Sequence, residues 1–207
     1  MTEPLLLSAS DPESITRAVA ALHAGQVVAF PTDTVYGLGA HSGLAEAIEQ
    51  LYQIKGREHQ KAIPLLLART EDVSAVARDV PDLAWRLAAR FWPGPVTLVL
   101  LGAATLLDVL TAGAPTVAVR VPAHPLALRL ISALGVPLAT TSANLSGQRE
   151  AVTAQEVWAA LGARVSLVLD GGRCPGGVAS TLVDLTTAPP TIRRRGALVA
   201  EVEAFLS

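Results

Sequence analysis

Apolar positions recur along the chain with two spacings, roughly 3.6 residues and about two, and the switches between them outline alternating helices and strands. DPESITRAVAALHAG predicts a helix capped at Asp11, with Pro12 at its first position and Gly25 ending it. QVVAFP then predicts a buried strand. Ser42 is expected to cap a second helix through AEAIEQLYQI, which delivers KGR at its end, before a strand at IPLLLA. Further helices are expected at PDLAWRLAARF, HPLALRLISAL and, closing the chain, VAEVEAFL. The runs VTLVLL, TVAVRV, VPLATT, VSLVLD and STLVDL are mostly rich in β-branched residues and predict strands, with Pro31, Pro95, Pro122 and Pro137 at strand ends. Without repeats or low-complexity linkers, this pattern predicts one α/β domain over residues 1–207. Its expected form is a twisted mixed β-sheet flanked by helices, with polar strand ends meeting in one cleft.

Composition narrows the functional classes. At 207 residues, 51% hydrophobic and 16% charged, the chain can bury a sizeable core. The opening MTEPLLLSASDP has no basic segment before its leucines, and no apolar run reaches the roughly 18–20 residues of a membrane span. A cytoplasmic protein with no membrane segment is therefore expected. Cys174 is the single cysteine, so no intramolecular disulfide forms and a cysteine-based zinc site is not expected; the four histidines lack H-E-x-x-H spacing. A formal charge of −2 and 4% aromatic residues argue against a general single-strand RNA platform, although a local basic patch would not show in that sum. Of sixteen basic residues only Lys55 and Lys61 are lysine, both within KGREHQK. In an arginine-biased chain this points to a site that needs compact point charges; chance clustering on a solvated loop is the alternative.

Four segments carry candidate chemistry. PTDTVYGLGA places Thr32, Asp33, Thr34 and Tyr36 just beyond a strand, with Gly37 and Gly39 permitting close approach of a ligand; a structural turn is the plainer reading. GLGAHSG misses the dinucleotide pattern G-x-G-x-x-G by one residue. In KGREHQK, Lys55, Arg57 and Lys61 can surround a polyphosphate, although neither lysine is followed by the Ser or Thr of a P-loop; a basic turn closing a helix competes with that reading. PLATTSANLSG ends a strand in Thr140, Thr141, Ser142, Asn144 and Ser146, neutral groups suited to phosphate, carboxylate or adenine edges. Ser142 lacks a G-x-S-x-G setting and is not expected to be a nucleophile. In TVAVRVPAHP, Arg120 stands in an apolar strand and requires an anionic partner, while IRRRGAL carries three arginines that cannot all face one way in an extended segment.

Taken in order, PTDTVYGLGA, KGR, FWPGPVTLVL, TVAVRVPAHP, TSANLSG and STLVDL resemble the threonylcarbamoyl-AMP synthases, the Sua5/YrdC/YciO group, from about residue 10 to 206. The family's K-x-R and S-x-N signatures match Lys55, Arg57, Ser142 and Asn144. The resemblance implies a YrdC-like fold with a large central cavity, and an L-threonylcarbamoyladenylate synthase that condenses L-threonine, bicarbonate and ATP, with Mg2+, into threonylcarbamoyl-AMP and pyrophosphate. The product would serve tRNA t6A37 modification through a separate tRNA threonylcarbamoyl transferase complex, so direct tRNA binding is not chemically required. Carried over, the resemblance assigns Arg57, Thr116, Ser142 and Arg194 to ATP, supported by Lys55 and Asn144, with Lys55 and Arg57 as the catalytic cations. It assigns Thr34, Arg120, Thr140 and Ser180 to L-threonine, Arg120 pairing with its carboxylate. Several relatives carry a histidine on the threonine side where this chain has Leu66 or Leu67, and longer members have an additional C-terminal domain that this chain is expected to lack. A YciO-like paralogue, an adenylate-forming enzyme with another substrate, and an RNA-binding module are the alternatives.

Overall fold

The structure is a computed structural model that describes residues 5–56 and 61–207. Among these residues, ten strands join in one sheet. They are β1 (Leu5–Ser8), β2 (Val28–Phe30), β3 (Gly37–His41), β4 (Leu65–Leu66), β5 (Val96–Leu101), β6 (Thr116–Arg120), β7 (Leu138–Ser142), β8 (Leu167–Asp170), β9 (Thr181–Asp184) and β10 (Thr191–Arg194). The helices are α1 (Ser14–His23), α2 (Ala45–Lys55), α3 (Val73–Val76), α4 (Asp82–Phe91), α5 (Asp108–Thr111), α6 (Pro125–Leu134), α7 (Ala154–Leu161) and α8 (Val199–Leu206). The strand order is β1-β8-β2-β3-β7-β4-β6-β5-β9-β10, with parallel and antiparallel pairs, so the twisted mixed sheet expected from the sequence is present.

Strand periodicity sorts the side chains into two packed layers. On one face Val27, Ala29, Leu65, Leu67, Leu98, Val117, Val119, Ala139 and Val168 pack with the apolar sides of α2, α4, α7 and α8. On the other, Val28, Phe30, Leu66, Leu138, Leu167 and Leu169 pack under α1 and α6. These two helices cover the end of that face built on β1, β8 and β2. Beyond them the same face, over β4, β6, β5 and β9, forms the floor of a cavity of about 480 Å³.

Several expected elements shift. Helix α1 starts two residues late because Asp11 closes a turn, its carboxylate accepting the Glu13 N–H at 2.9 Å and its carbonyl the Ser14 N–H at 3.1 Å. Ser42 does not cap α2: Leu44 precedes the helix with extended backbone and no side-chain cap. The helix ends on Lys55 as expected, and Gly56 at φ +60° supplies the left-handed turn. IPLLLA shortens to Leu65–Leu66. The second half of PTDTVYGLGA is strand β3 rather than turn: its glycines let the Phe30 ring and Leu138 lie where Cβ atoms would otherwise stand.

Candidate active site

The cavity gathers three clusters of polar groups on one sheet face, and each is tied to the fold by hydrogen bonds. At the first, the left-handed turn ending α2 leaves the Lys55 ammonium buried against the end of β7. Its Nζ donates to the Ser142 carbonyl at 2.8 Å and Asn144 Oδ1 at 2.5 Å, with Ser142 Oγ at 3.4 Å. Ser142 Oγ donates to the same Asn144 Oδ1 at 2.7 Å, and Asn144 Nδ2 to the Gln148 carbonyl at 2.6 Å. The Ser146 N–H returns to the Lys55 carbonyl at 3.0 Å. One point charge is thus enclosed by oxygens at the mouth of a strand-to-loop turn, a fixed positive pole.

The second cluster is centred on Arg120, at the end of β6. Its Nε donates to the Gly94 carbonyl at 2.9 Å, Nη1 to Thr34 Oγ1 at 3.1 Å and Nη2 to Asp33 Oδ1 at 2.5 Å. The expected anionic partner is therefore present within the protein, as Asp33, which also accepts the Ala123 N–H at 3.0 Å. Among the described residues three of the five guanidinium N–H groups are engaged, which leaves one on each Nη able to meet a ligand. Burial pulls the Arg120 pKa down, while the Asp33 charge opposes that pull. Thr32 Oγ1 shapes the turn, donating to the Val35 carbonyl at 2.6 Å and lying 2.9 Å from Thr34 Oγ1.

The third cluster joins β9 and β10. Arg194 donates from Nε to the Ser180 carbonyl and from Nη2 to Ser180 Oγ, both at 2.9 Å, and Ser180 Oγ lies 2.7 Å from Thr97 Oγ1 on β5. Burial lowers the Arg194 pKa, opposed by Glu150, which also lines the cavity. The three consecutive arginines do not all face one way: Arg195 pairs with Glu203 outside, while Arg193 and Arg194, where the register shifts between Ile192 and Arg194, both reach the cavity lining, Arg193 pairing with buried Asp184.

Of the residues singled out by sequence, Thr34, Lys55, Thr116, Arg120, Thr140, Ser142, Asn144, Ser180 and Arg194 all line this one cavity, and Arg57 lies outside the described residues. Leu66 faces the cavity with Val99, Ala118 and Leu182, whereas Leu67 is buried in the opposite core. Lys61, singled out with Lys55 in KGREHQK, also lines the wall; sequence reasoning missed Thr97 and Glu150, and the alternation of Thr97 with buried Val96 and Leu98 was the available signal for the first. Cys174 is a buried free thiol, its pKa pushed up to about 11 mainly by burial. Among the described residues no three His, Cys, Asp or Glu side chains assemble as a metal site, and no helix is long and apolar enough to cross a membrane.

Known proteins share this fold. The model of the Sua5/YciO/YrdC family, whose description reads telomere recombination, matches residues 20–196. The threonylcarbamoyl-AMP synthase of Pyrococcus abyssi is 42% identical over 177 residues, covering 86% of this chain and 52% of that protein. The threonylcarbamoyl-AMP synthase of Bacillus subtilis is 40% identical over 202 residues, covering 97% of this chain and 58% of its own. The crystal structure of P. abyssi Sua5 complexed with L-threonine superposes with a TM-score of 0.93 at 38% identity, over 99% of this chain and 61% of that one. The chain thus spans about half to three fifths of the length of these relatives. With the family model matching from α1 through β10 and the sheet superposing across nearly all of it, the chain belongs to the Sua5/YciO/YrdC family.

Proposed function

We propose that this chain is an L-threonylcarbamoyladenylate synthase, condensing L-threonine, bicarbonate and ATP into threonylcarbamoyl-AMP and pyrophosphate. The observation that carries the reading is the meeting, in one cavity, of the oxygen-enclosed Lys55 and the partly committed Arg120 across an apolar floor that includes Leu66 and Ala118. Two cationic poles in one chamber suit two anionic reactants that must approach each other. The names of the P. abyssi and B. subtilis relatives, and the threonine complex of P. abyssi Sua5, support the same reading.

In this mechanism Arg120 offers its two remaining N–H groups to the carboxylate of threonine, with Thr34, Thr140 and Ser180 around the amino acid. The threonine amine takes up bicarbonate with loss of water to form a carbamate. A carbamate oxygen attacks the α-phosphorus of ATP, and the bond to the β,γ-diphosphate breaks as pyrophosphate leaves. Lys55, Arg194 and, from the sequence, Arg57 neutralise the departing charge, while Thr116, Ser142 and Asn144 line the nucleotide side. No covalent enzyme intermediate is needed. Mg2+ enters chelated by the nucleotide phosphates, as part of the substrate, in keeping with a wall whose carboxylates are few. The adenylate then passes to a separate tRNA threonylcarbamoyl transferase complex in the cytoplasm.

The test is product analysis. Incubation with MgATP, bicarbonate and L-threonine should give threonylcarbamoyl-AMP by mass spectrometry in equal amount to pyrophosphate. Pyrophosphate without that adenylate, or AMP alone, would overturn the proposal.

A further inference from the structure

We infer that Thr97 is a positioning residue for substrate binding: through its hydroxyl it fixes the Ser180 hydroxyl, beside Arg194, so that this hydroxyl pair reads the amino-acid substrate. The inference rests on the function proposed above and assigns a part in it to a residue on β5.

The argument is one of hydrogen-bond capacity. Ser180 Oγ has one proton and two lone pairs, and Arg194 Nη2 occupies one lone pair at 2.9 Å. Thr97 Oγ1, at 2.7 Å, makes no second hydrogen bond among the described residues. If Thr97 donates, both lone pairs of Ser180 are filled and the serine can present only its proton. If Ser180 donates instead, the Thr97 proton is left over. In either arrangement one O–H remains on a buried pair that lines the cavity, beside the Arg194 guanidinium, and an acceptor atom of the bound amino acid satisfies it. Thr97 is itself buried, and its strand neighbours Val96 and Leu98 point into the opposite core, so a hydroxyl there has no solvent to serve. Strand pairing holds the geometry: β5 lies parallel to β9 with Val96 opposite Thr181, which puts Ser180 beside Thr97 although 83 residues separate them. Arg194 retains its bond to the Ser180 carbonyl whatever stands at position 97, so the effect of Thr97 falls on the serine hydroxyl.

The experiment measures the KM for L-threonine and for MgATP separately in pyrophosphate release, for wild type, Thr97→Val, Thr97→Ser, Ser180→Ala and the Thr97→Val/Ser180→Ala double variant. Calorimetric binding of L-threonine and ligand-free thermal unfolding accompany it. Thr97→Val should raise the threonine KM roughly three- to tenfold and leave the ATP KM within about twofold. Thr97→Ser should restore the wild-type values, and in the Ser180→Ala background Thr97→Val should add nothing further. An unchanged threonine KM, an equal rise in both KM values, or an effect undiminished without Ser180 would overturn the inference. A wild type that binds threonine but releases no pyrophosphate would defeat the proposed reaction alone, and the binding series would still decide the role of Thr97. A wild type that binds no threonine would defeat both.

Discussion

At Lys55, a carbonyl, a hydroxyl and an amide oxygen converge on a single nitrogen, and that convergence decides which side chains can replace it. A planar guanidinium spreads its donors over a fork and cannot direct them to one point. Lys55→Ala should lower pyrophosphate release by about two orders of magnitude, and Lys55→Arg should recover little of it. Recovery by arginine to near wild-type turnover would show that charge alone matters. Near-normal turnover of the alanine variant would remove Lys55 from the chemistry.

His124, half-buried beside Asp33, gives a pH effect of defined sign. Burial lowers its pKa below the ordinary 6.5, partly opposed by the Asp33 charge. The unfolded chain therefore binds the proton more readily, so this contribution to stability is present above pH 6.5 and is lost as pH falls towards the folded value. Thermal unfolding of wild type and His124→Gln from about pH 7.5 to about 5 should show a steeper loss in the wild type; parallel curves would contradict this. Much of this residue-scale chemistry was readable in the sequence. Two lysines kept in an arginine-rich chain marked the site, and an arginine inside an apolar strand announced an ion pair. That the pair is made with Asp33, 87 residues away, was not readable, because periodicity says which way a side chain faces and not what it meets.

At the scale of elements, the segment after β10 is stapled to the start of β9. The Ala197 N–H reaches the Ala179 carbonyl at 2.9 Å, and Thr181 Oγ1 donates to the Ala197 carbonyl at 2.7 Å and accepts the Gly196 N–H at 3.1 Å. A Cβ at Gly196 would stand 2.3 Å from the Ala179 carbonyl oxygen, so the backbone would have to separate next to Ser180 and Arg194. Gly196→Ala should cost about 1–3 kcal/mol in denaturant unfolding and raise the ATP KM as Arg194 shifts. An unchanged midpoint and KM would mean that the staple is dispensable. Helices with proline or glycine punctuation were readable at this scale: Pro125 begins α6 and Gly135 ends it. Strand β3 was not, since two glycines in five residues look like a turn until Phe30 and Leu138 are seen packed on them. Helix α7 carried an overlooked signal, Thr153 and Glu156 in capping-box spacing, with Thr153 accepting the Glu156 N–H and Glu156 reaching back to the Val152 N–H.

For the molecule as a whole, incomplete cover of one sheet face makes the site. Helices α1 and α6 pack on one end of that face, and the strands beyond them carry Thr97, Thr116, Arg120 and Thr140 on the side their neighbours leave open. The mixed α/β class followed from alternating periods. The strand order did not, because it depends on crossovers such as the one that places β8 between β1 and β2. For that reason the sequence could name the polar strand ends but not the chamber they enclose. The central claim is that the Arg120 side of this chamber selects threonine while the Lys55 side handles the nucleotide. It is tested most directly by pyrophosphate release from MgATP and bicarbonate across a panel of free amino acids. The account predicts release that depends on L-threonine and is strongly reduced with serine, valine or no amino acid; release indifferent to the amino acid, or greatest with another, would contradict it.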